Sequence, residues 1–555
     1  MGGGFGGKES RSVQLSSILA LAAQKTRRPV RCMLTREEDM VTTGQRHPFL
    51  GRWKVGVNKD GKIQALDLDI FNNAGWSWDL SAAVCERAMT HSDGCYMIPN
   101  VHVRGRICKT NTMSNTAFRG FGGPQGMFIA ESFMSEVADR LNIPVEKLRE
   151  INMYKPEELT HFNQPLTDWH VPLMYQQVQE ESDYANRREA ITKFNAEHKW
   201  RKRGLALIPT KFGISFTALW FNQAGALVHI YHDGSVLVAH GGTEMGQGLH
   251  TKMTMIAAQA LNVPMEDVYI SETATNTVAN ASATAASASS DLNGYAIHNA
   301  CEQLNERLAP YRAKLGPSAT LKEVAHAAYF DRVNLSAQGF YKTPEIGYTW
   351  GENKGKMFFY FTQGVTAAEV ELDTLTGSWT CLRADIKMDV GRSINPAIDY
   401  GQIQGAFIQG VGLFTMEESL WLRNGPLKGN LFTRGPGAYK IPSFRDIPQV
   451  WNVSLLKDVE WQDLRTIQRS RGVGEPPLFM GSAVFFAIRD ALKAARAQYG
   501  VEAAVGVDSK DEGDGLLRLE SPATPERIRL ACVDPIVERA RVKAKEGERS
   551  FFIAI

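Results

Sequence analysis

The chain has 555 residues, enough for three or four domains of ~100–200 residues or fewer large ones, and long enough to bury a sizeable core. With 62 Lys and Arg against 60 Asp and Glu, net charge +2 and 22% charged residues, it offers no electrostatic argument for a nucleic-acid or anionic-membrane partner. Seven scattered cysteines, an odd number without a C-x-x-C pair, fit neither a disulfide framework nor a zinc or iron–sulphur site. A reducing, cytoplasmic setting is expected: no basic and apolar leader opens the chain, and no apolar run reaches the ~18 residues of a membrane span. Glycine is high at 49 residues, about 9% against a typical ~7%, and the excess lies in a few loops.

In chain order, residues 2–9 form a first glycine loop. Residues 11–24 follow as a helix, with Leu15, Ile18, Leu19 and Ala22 spaced i, i+3, i+4, i+7. Segments 52–57 and 63–70 alternate around Asn58-Lys59-Asp60-Gly61, the pattern of a hairpin. A second glycine loop at 117–126 precedes a helix at 127–141, and Pro144 opens a short one. The polar stretch near 155–170 is the expected domain boundary. Beyond it, 225–239 reads as a hairpin about His232-Asp233-Gly234-Ser235, leading to a third loop, GGTEMGQG at 241–248, and a helix at 249–261. Small residues at 281–290 lead into a long helix near 291–311. Segments 365–373 and 378–388 pair about Thr374-Leu375-Thr376-Gly377, and a fourth loop, RGVGEPP at 471–477, feeds a helix ending near 497. The last 55 residues or so turn polar and are expected as a surface tail.

A glycine loop entering a helix presents backbone N–H groups at the positive end of the helix dipole, suited to a phosphate or another anion. Gly2 to Lys8 satisfies G-x-x-x-x-G-K, but Glu9 stands where a P-loop needs a hydroxyl, and the ribose-binding acid of a dinucleotide fold is missing at ~20 residues. What the loops carry is more informative: Phe5, Glu9, Arg119, Phe121, Gln247 and Glu475. Aromatics, a guanidinium and carboxylates at loop tips suit a planar polar ligand. H-E-x-x-H and G-x-S-x-G are absent, and His229 and His232 read as hairpin surface residues.

Taken together, GGGFGGKE (2–9), RHPFLGRWKVG (46–56), NTAFRGFGGPQ (115–125), GISFTALWFNQAGA (213–226), GGTEMGQGLHTKM (241–253), TAASAS (284–289) and GVGEPPLF (472–479) resemble, in order, the molybdenum hydroxylase family of xanthine dehydrogenase and aldehyde oxidase. The resemblance runs over residues 1–500. It implies an α+β fold of mixed sheets with flanking helices, in two molybdopterin-binding domains at 1–165 and 166–500, with 501–555 as the tail. It also implies a molybdenum–molybdopterin cofactor held largely by backbone donors.

Carried over by motif, Phe5, Gly6, Arg119 and Ala286 lie by the molybdenum, and Gln247 and Ser287 line the pterin and its phosphate. Glu475 takes the place of the catalytic base. Phe121 and Phe216 sandwich the substrate ring and Thr217 hydrogen-bonds it. Glu9 and Arg87 match the polar pair of purine-oxidising members, which aldehyde-oxidising relatives lack. The implied reaction is hydroxylation of hypoxanthine and xanthine, with nicotinate or an aldehyde as the alternative substrate and a catalytically inactive fragment as the alternative role. The family's two [2Fe-2S] clusters, FAD and NAD site belong to domains that this sequence does not contain, so a carboxy-terminal fragment of a homodimeric enzyme is expected.

Overall fold

The computed structural model describes residues 3–462, 464–501 and 515–540. In the first sheet, Ile63–Gly75 lies between Phe49–Val57, antiparallel to it, and Asn100–Lys109, parallel to it. Alternate residues of a strand share a face. Leu66, Leu68 and Ile70 are therefore buried together under Ile129, Phe133 and Met134 of the helix Gly123–Leu141. The expected turn at 58–61 is closed by Asn58 N–H to the Lys62 carbonyl and Gly61 N–H to the Asn58 carbonyl, both 2.9 Å.

The central sheet runs in the order Val450–Leu455, Trp379–Asp389, Tyr360–Asp373, Arg201–Ile214, with only the first pair parallel. Its Tyr360–Asp373 and Trp379–Asp389 hairpin turns at the expected residues 374–377. Arg201–Ile214 was not anticipated: it is buried almost throughout, polar residues such as Thr210 and Lys211 included, and the short apolar stretch Leu205–Ile208 broken by Pro209 shows no alternation to read as a strand. It is an edge strand, so Pro209 costs it no ladder bond. The helix Ser482–Ala497 lies so close over it that a β-carbon on Gly204 would stand 2.0 Å from the Ala487 carbonyl oxygen.

A third sheet, Val268–Ile270, Val236–His240, Gln223–Ile230, Ser336–Lys342, is covered by the helices Leu249–Leu261 and Ser289–Leu315. Mixed sheets with flanking helices make the architecture α+β, as expected. The helix Ser12–Thr26 stands where its spacing placed it, yet none of its residues is buried. The segment 155–170 carries buried Phe162, Leu166 and Trp169. Of the residues expected as a tail, 502–514 and 541–555 lie outside the described residues. In 515–540, Leu517, Ala523, Ile528 and Cys532 join the largest apolar cluster, so this part is packed into the core rather than laid over it. Among the described residues no helix is long and apolar enough to cross a membrane.

What the fold does for the glycine loops is to gather them. Gly123–Leu141, Leu249–Leu261 and Ser289–Leu315 start at the loops 117–122, 241–248 and 284–288, and the fourth loop runs through a short 3₁₀ turn, Pro476–Gly481, into Ser482–Ala497.

Candidate functional site

The first and second loops are locked together: Arg119 N–H donates to the Phe5 carbonyl at 2.9 Å, and a β-carbon on Gly6 would stand 2.8 Å from the Ala117 backbone. The Arg119 guanidinium lies 5.8 Å from the Phe5 ring centre. It donates to the Gly474 carbonyl at 2.5 Å, to Gln409 Oε1 at 3.1 Å and to Gln402 Oε1 at 2.9 Å, so one side chain ties the second loop to the fourth and to the helix Pro396–Thr415. Burial lowers its pKa to about 10, against the pull of the Glu475 charge.

Glu475 joins three loops. Its Oε2 accepts from Ser287 Oγ at 2.9 Å, its own N–H donates to the same Oγ at 2.8 Å, and its Oε1 faces the Gly120 N–H at 3.3 Å. Gly472 and Gly474 allow this approach: a β-carbon would stand 2.4 Å from the Ser287 carbonyl oxygen at the first and 3.0 Å from Ser287 Oγ at the second. Phe5, Phe121, Ala286 and Ser287 all have left-handed backbones, φ 50–57°. Non-glycine residues in that region carry strain of ~1–3 kcal/mol each and concentrate at functional sites.

Arg87 closes the site from the helix Ser81–Thr90. Its Nη1 donates to the Gly213 carbonyl at 2.7 Å and its Nη2 to the Ser215 carbonyl at 2.6 Å. Its guanidinium lies 6.0, 5.2 and 5.1 Å from the rings of Phe121, Phe212 and Phe358. Burial lowers its pKa, and the negative charge that opposes this is Glu475. One turn on, His91 donates from Nδ1 to the Arg87 carbonyl (2.8 Å) and accepts the Gly213 N–H at Nε2 (3.1 Å). Arg87 and His91 thus satisfy both outward backbone groups of an edge-strand residue. The acceptor role requires a neutral imidazole, and burial, with Arg87 and Lys211 nearby, lowers the His91 pKa to about 3.

Glu9 is exposed at the end of the first loop, yet desolvation by the surrounding protein and the nearby Glu475 charge raise its pKa against backbone N–H donors. Phe216 directly follows the anchored Ser215, with its backbone held by Asn222 and its ring 5.5 Å from Phe221. Thr217, half-buried, comes next. Gln247 turns back on its own loop, accepting from Met245 N–H at 2.6 Å and donating to the Thr243 carbonyl at 2.9 Å. That loop reaches the first one where Met245 Sδ would lie 2.8 Å from a β-carbon on Gly4.

Phe5, Gly6, Arg87, Arg119, Phe121, Ala286, Ser287 and Glu475 therefore form one connected cluster. Glu9 is linked to it by charge, Phe216 and Thr217 by chain, and Gln247 through its loop. The sequence reading missed the groups that hold the cluster: His91, Gln402 and Gln409, and also Tyr360, which accepts the Gly472 N–H at its hydroxyl, and Asp291, which accepts from that hydroxyl. Gln402 and Gln409, seven residues apart on one helix, carried a legible signal of a shared face; the others carried none.

Known proteins match the chain along its length. Profiles described as molybdopterin cofactor-binding domains match residues 1–153 and 177–448. A xanthine dehydrogenase of Emericella nidulans is 73% identical over the whole chain, and a nicotinate hydroxylase, hnxS, of the same organism is 60% identical over the whole chain. The aldehyde oxidoreductase of Desulfovibrio desulfuricans superposes with a TM-score of 0.80 at 25% identity, covering 96% of this chain and 54% of that one. The chain spans about 40% of the length of the two fungal relatives. On these matches it belongs to the molybdopterin cofactor-binding family, in the part of it found in xanthine dehydrogenases.

Proposed function

We propose that the chain is the molybdopterin-binding part of a molybdenum hydroxylase that oxidises hypoxanthine and xanthine, with Glu475 as the base. The observation that carries this reading is the one cluster in which Glu475, bonded to Ser287 and facing Gly120, lies within electrostatic reach of two buried guanidiniums, Arg87 and Arg119, with Phe121 against Arg87. The loops suit the cofactor. The backbone N–H groups of Gln247, Ala286 and Ser287 have no acceptor among the described residues, Gly246 borders open space, and several helices begin at these loops. Such donors match an anionic pterin phosphate. When bound, the molybdenum cofactor supplies the two-electron oxidation and the hydroxylating oxygen.

The protein's own residues divide the remaining work. Ser287 donates to Glu475 Oε2, which leaves Oε1, with only its 3.3 Å contact to Gly120 N–H, as the oxygen that takes the proton. Glu9, protonating more readily than an ordinary carboxyl, can hold the edge of a purine. Arg87 can act on charge developing at a ring oxygen: Nη1 and Nη2 each spend one of their two N–H groups on a carbonyl, and Nε has no hydrogen-bond partner among the described residues. Phe121 and Phe216 stack the ring, Thr217 orients it, and Phe5, Gly6, Arg119, Gln247, Ala286 and Ser287 hold the cofactor. The same proposal includes the two-domain division at about 165, which the two family profiles flank. It also includes a cytoplasmic homodimer and electron exit through two [2Fe-2S] clusters and FAD to NAD, supplied outside these residues.

The 60% identity to a nicotinate hydroxylase makes nicotinate the second reading. Cofactor-loaded protein, assayed with a dye acceptor and each substrate, separates the two. Xanthine oxidation supports the first reading, oxidation of nicotinate alone moves the substrate to the second, and neither with molybdenum present rejects both. Glu475→Gln should lower turnover ~10²- to 10⁴-fold with molybdenum content unchanged. Turnover within threefold of the parent would remove Glu475 from the role of base.

A further inference from the structure

The loop that carries Glu475 is held at a point three residues upstream, from the strand Tyr360–Asp373. Gly472 donates its N–H to the Tyr360 hydroxyl at 2.8 Å, and its carbonyl accepts from Thr362 Oγ1 at 2.8 Å. Both backbone groups of one glycine are thus taken by two side chains spaced i, i+2, which a strand presents on one face. Tyr360 is itself fixed: its hydroxyl donates to Asp291 Oδ2 at 2.8 Å, and Asp291 Oδ1 accepts the Ile467 N–H at 3.2 Å.

Asp291 stands in the first turn of Ser289–Leu315, four residues after Ser287. The contacts form a closed circuit from Ser287 along the chain to Asp291, across to Tyr360, on to Gly472, along the chain to Glu475, and back to Ser287 Oγ. Thr362 and Asp291 are buried, and Tyr360 is 8% exposed. Gly472 has no slack in the other direction, since the Ser287 carbonyl lies against it.

We propose that Tyr360 and Thr362 are positioning residues for Glu475: by clamping the N–H and carbonyl of Gly472 they set where the Glu475 carboxylate stands relative to Ser287 and Gly120. This rests on the reading of Glu475 as the base. A ~1 Å error in such a group can cost ~10²-fold in rate, and loss of one supporting hydrogen bond at a functional group typically costs ~10- to 100-fold.

The test uses the cofactor-loaded protein with Tyr360→Phe, Thr362→Val and the double variant. Each single variant should lower kcat for xanthine ~10-fold and leave KM within twofold, with molybdenum content unchanged. Amide exchange read by mass spectrometry on the peptide spanning 470–476 should speed up at least ~10-fold, while exchange in Arg201–Ile214 stays as in the parent. Thr362→Val, close to isosteric, carries the test if Tyr360→Phe fails to accumulate. Unchanged exchange at 470–476, or a kcat within twofold of the parent, overturns the clamp. Faster exchange throughout the central sheet, or a matching loss of molybdenum, overturns it in favour of a general role in folding. If the parent oxidises neither xanthine nor nicotinate, the catalytic reading falls, and faster exchange confined to 470–476 still establishes the clamp.

Discussion

Replacing Arg87 by Met tests how much of this site is scaffold and how much is recognition. The guanidinium donates at 2.7 and 2.6 Å to two carbonyls, of Gly213 and Ser215. Without it each carbonyl is left buried and unpaired, at ~1–3 kcal/mol apiece, and the contacts with Phe212 and Phe358 are lost. Removing a buried cation returns part of its desolvation cost, several kcal/mol per ion. A net loss of about 3 kcal/mol follows, and at ~2 °C or less per kcal/mol for a long chain the unfolding temperature should fall roughly 5 °C by circular dichroism. Arg87→Lys keeps the charge but cannot span two carbonyls, so it should fall about half as far. Because the anchored Ser215 precedes Phe216 and Thr217, the variant should slow aldehyde oxidation as well as purine oxidation. The purine loss should be the larger, by ~10-fold or more, if the charge also stabilises a ring oxygen. An unfolding temperature within 1 °C of the parent would refute the anchoring. Equal losses on both substrates would leave Arg87 as scaffold alone.

Lys211 and Asp93 form an ion pair with both side chains fully buried, joined by the Tyr154 hydroxyl at 2.9 Å. Lys211→Met should destabilise the protein by ~3–5 kcal/mol, and Lys211→Met with Asp93→Leu should recover much of this in thermal unfolding; a double variant no better than the single would contradict the pair's isolation from water. Burial raises the Asp291 pKa to about 7, against hydrogen bonds from Tyr360 and Ile467 and the charge of Lys252. Between an unfolded value near ~3.9 and about 7 the folded form holds a proton that the unfolded chain has released, so this group's contribution to stability is present at low pH and is lost as pH rises through 7. Asp291→Asn should therefore gain on the parent in unfolding temperature between pH 4.5 and pH 8, and a difference that does not change with pH would contradict the shift.

The sequence by itself determined the punctuation of this protein and the chemistry at its loop tips. Hairpin turns at 58–61 and 374–377 and the helix starts after the glycine loops could be read directly, because turn residues and helix entry act locally; Phe5, Arg119, Phe121 and Glu475 stood out at the loop tips, while Ser287 came only through the family resemblance. Arg201–Ile214 was not legible: burial over nearly its whole length erases the period of two that marks a strand. The helix Ser12–Thr26 shows the reverse, since a correct apolar spacing predicted the helix and said nothing of what would cover it.

What only the tertiary structure decided is the set of contacts that cross hundreds of residues. Arg119 reaches Gly474, Tyr360 reaches Gly472, and Arg87 reaches an edge strand 126 positions away. A buried hydrogen bond of this kind needs a partner of the right polarity at ~2.9 Å, and nothing in the spacing of either residue along the chain records where that partner will be. His91, Tyr360 and Asp291 look like ordinary members of a helix end, a strand and a helix start until packing removes water from them. From that point their hydrogen bonds can be met only by the groups the fold brings alongside.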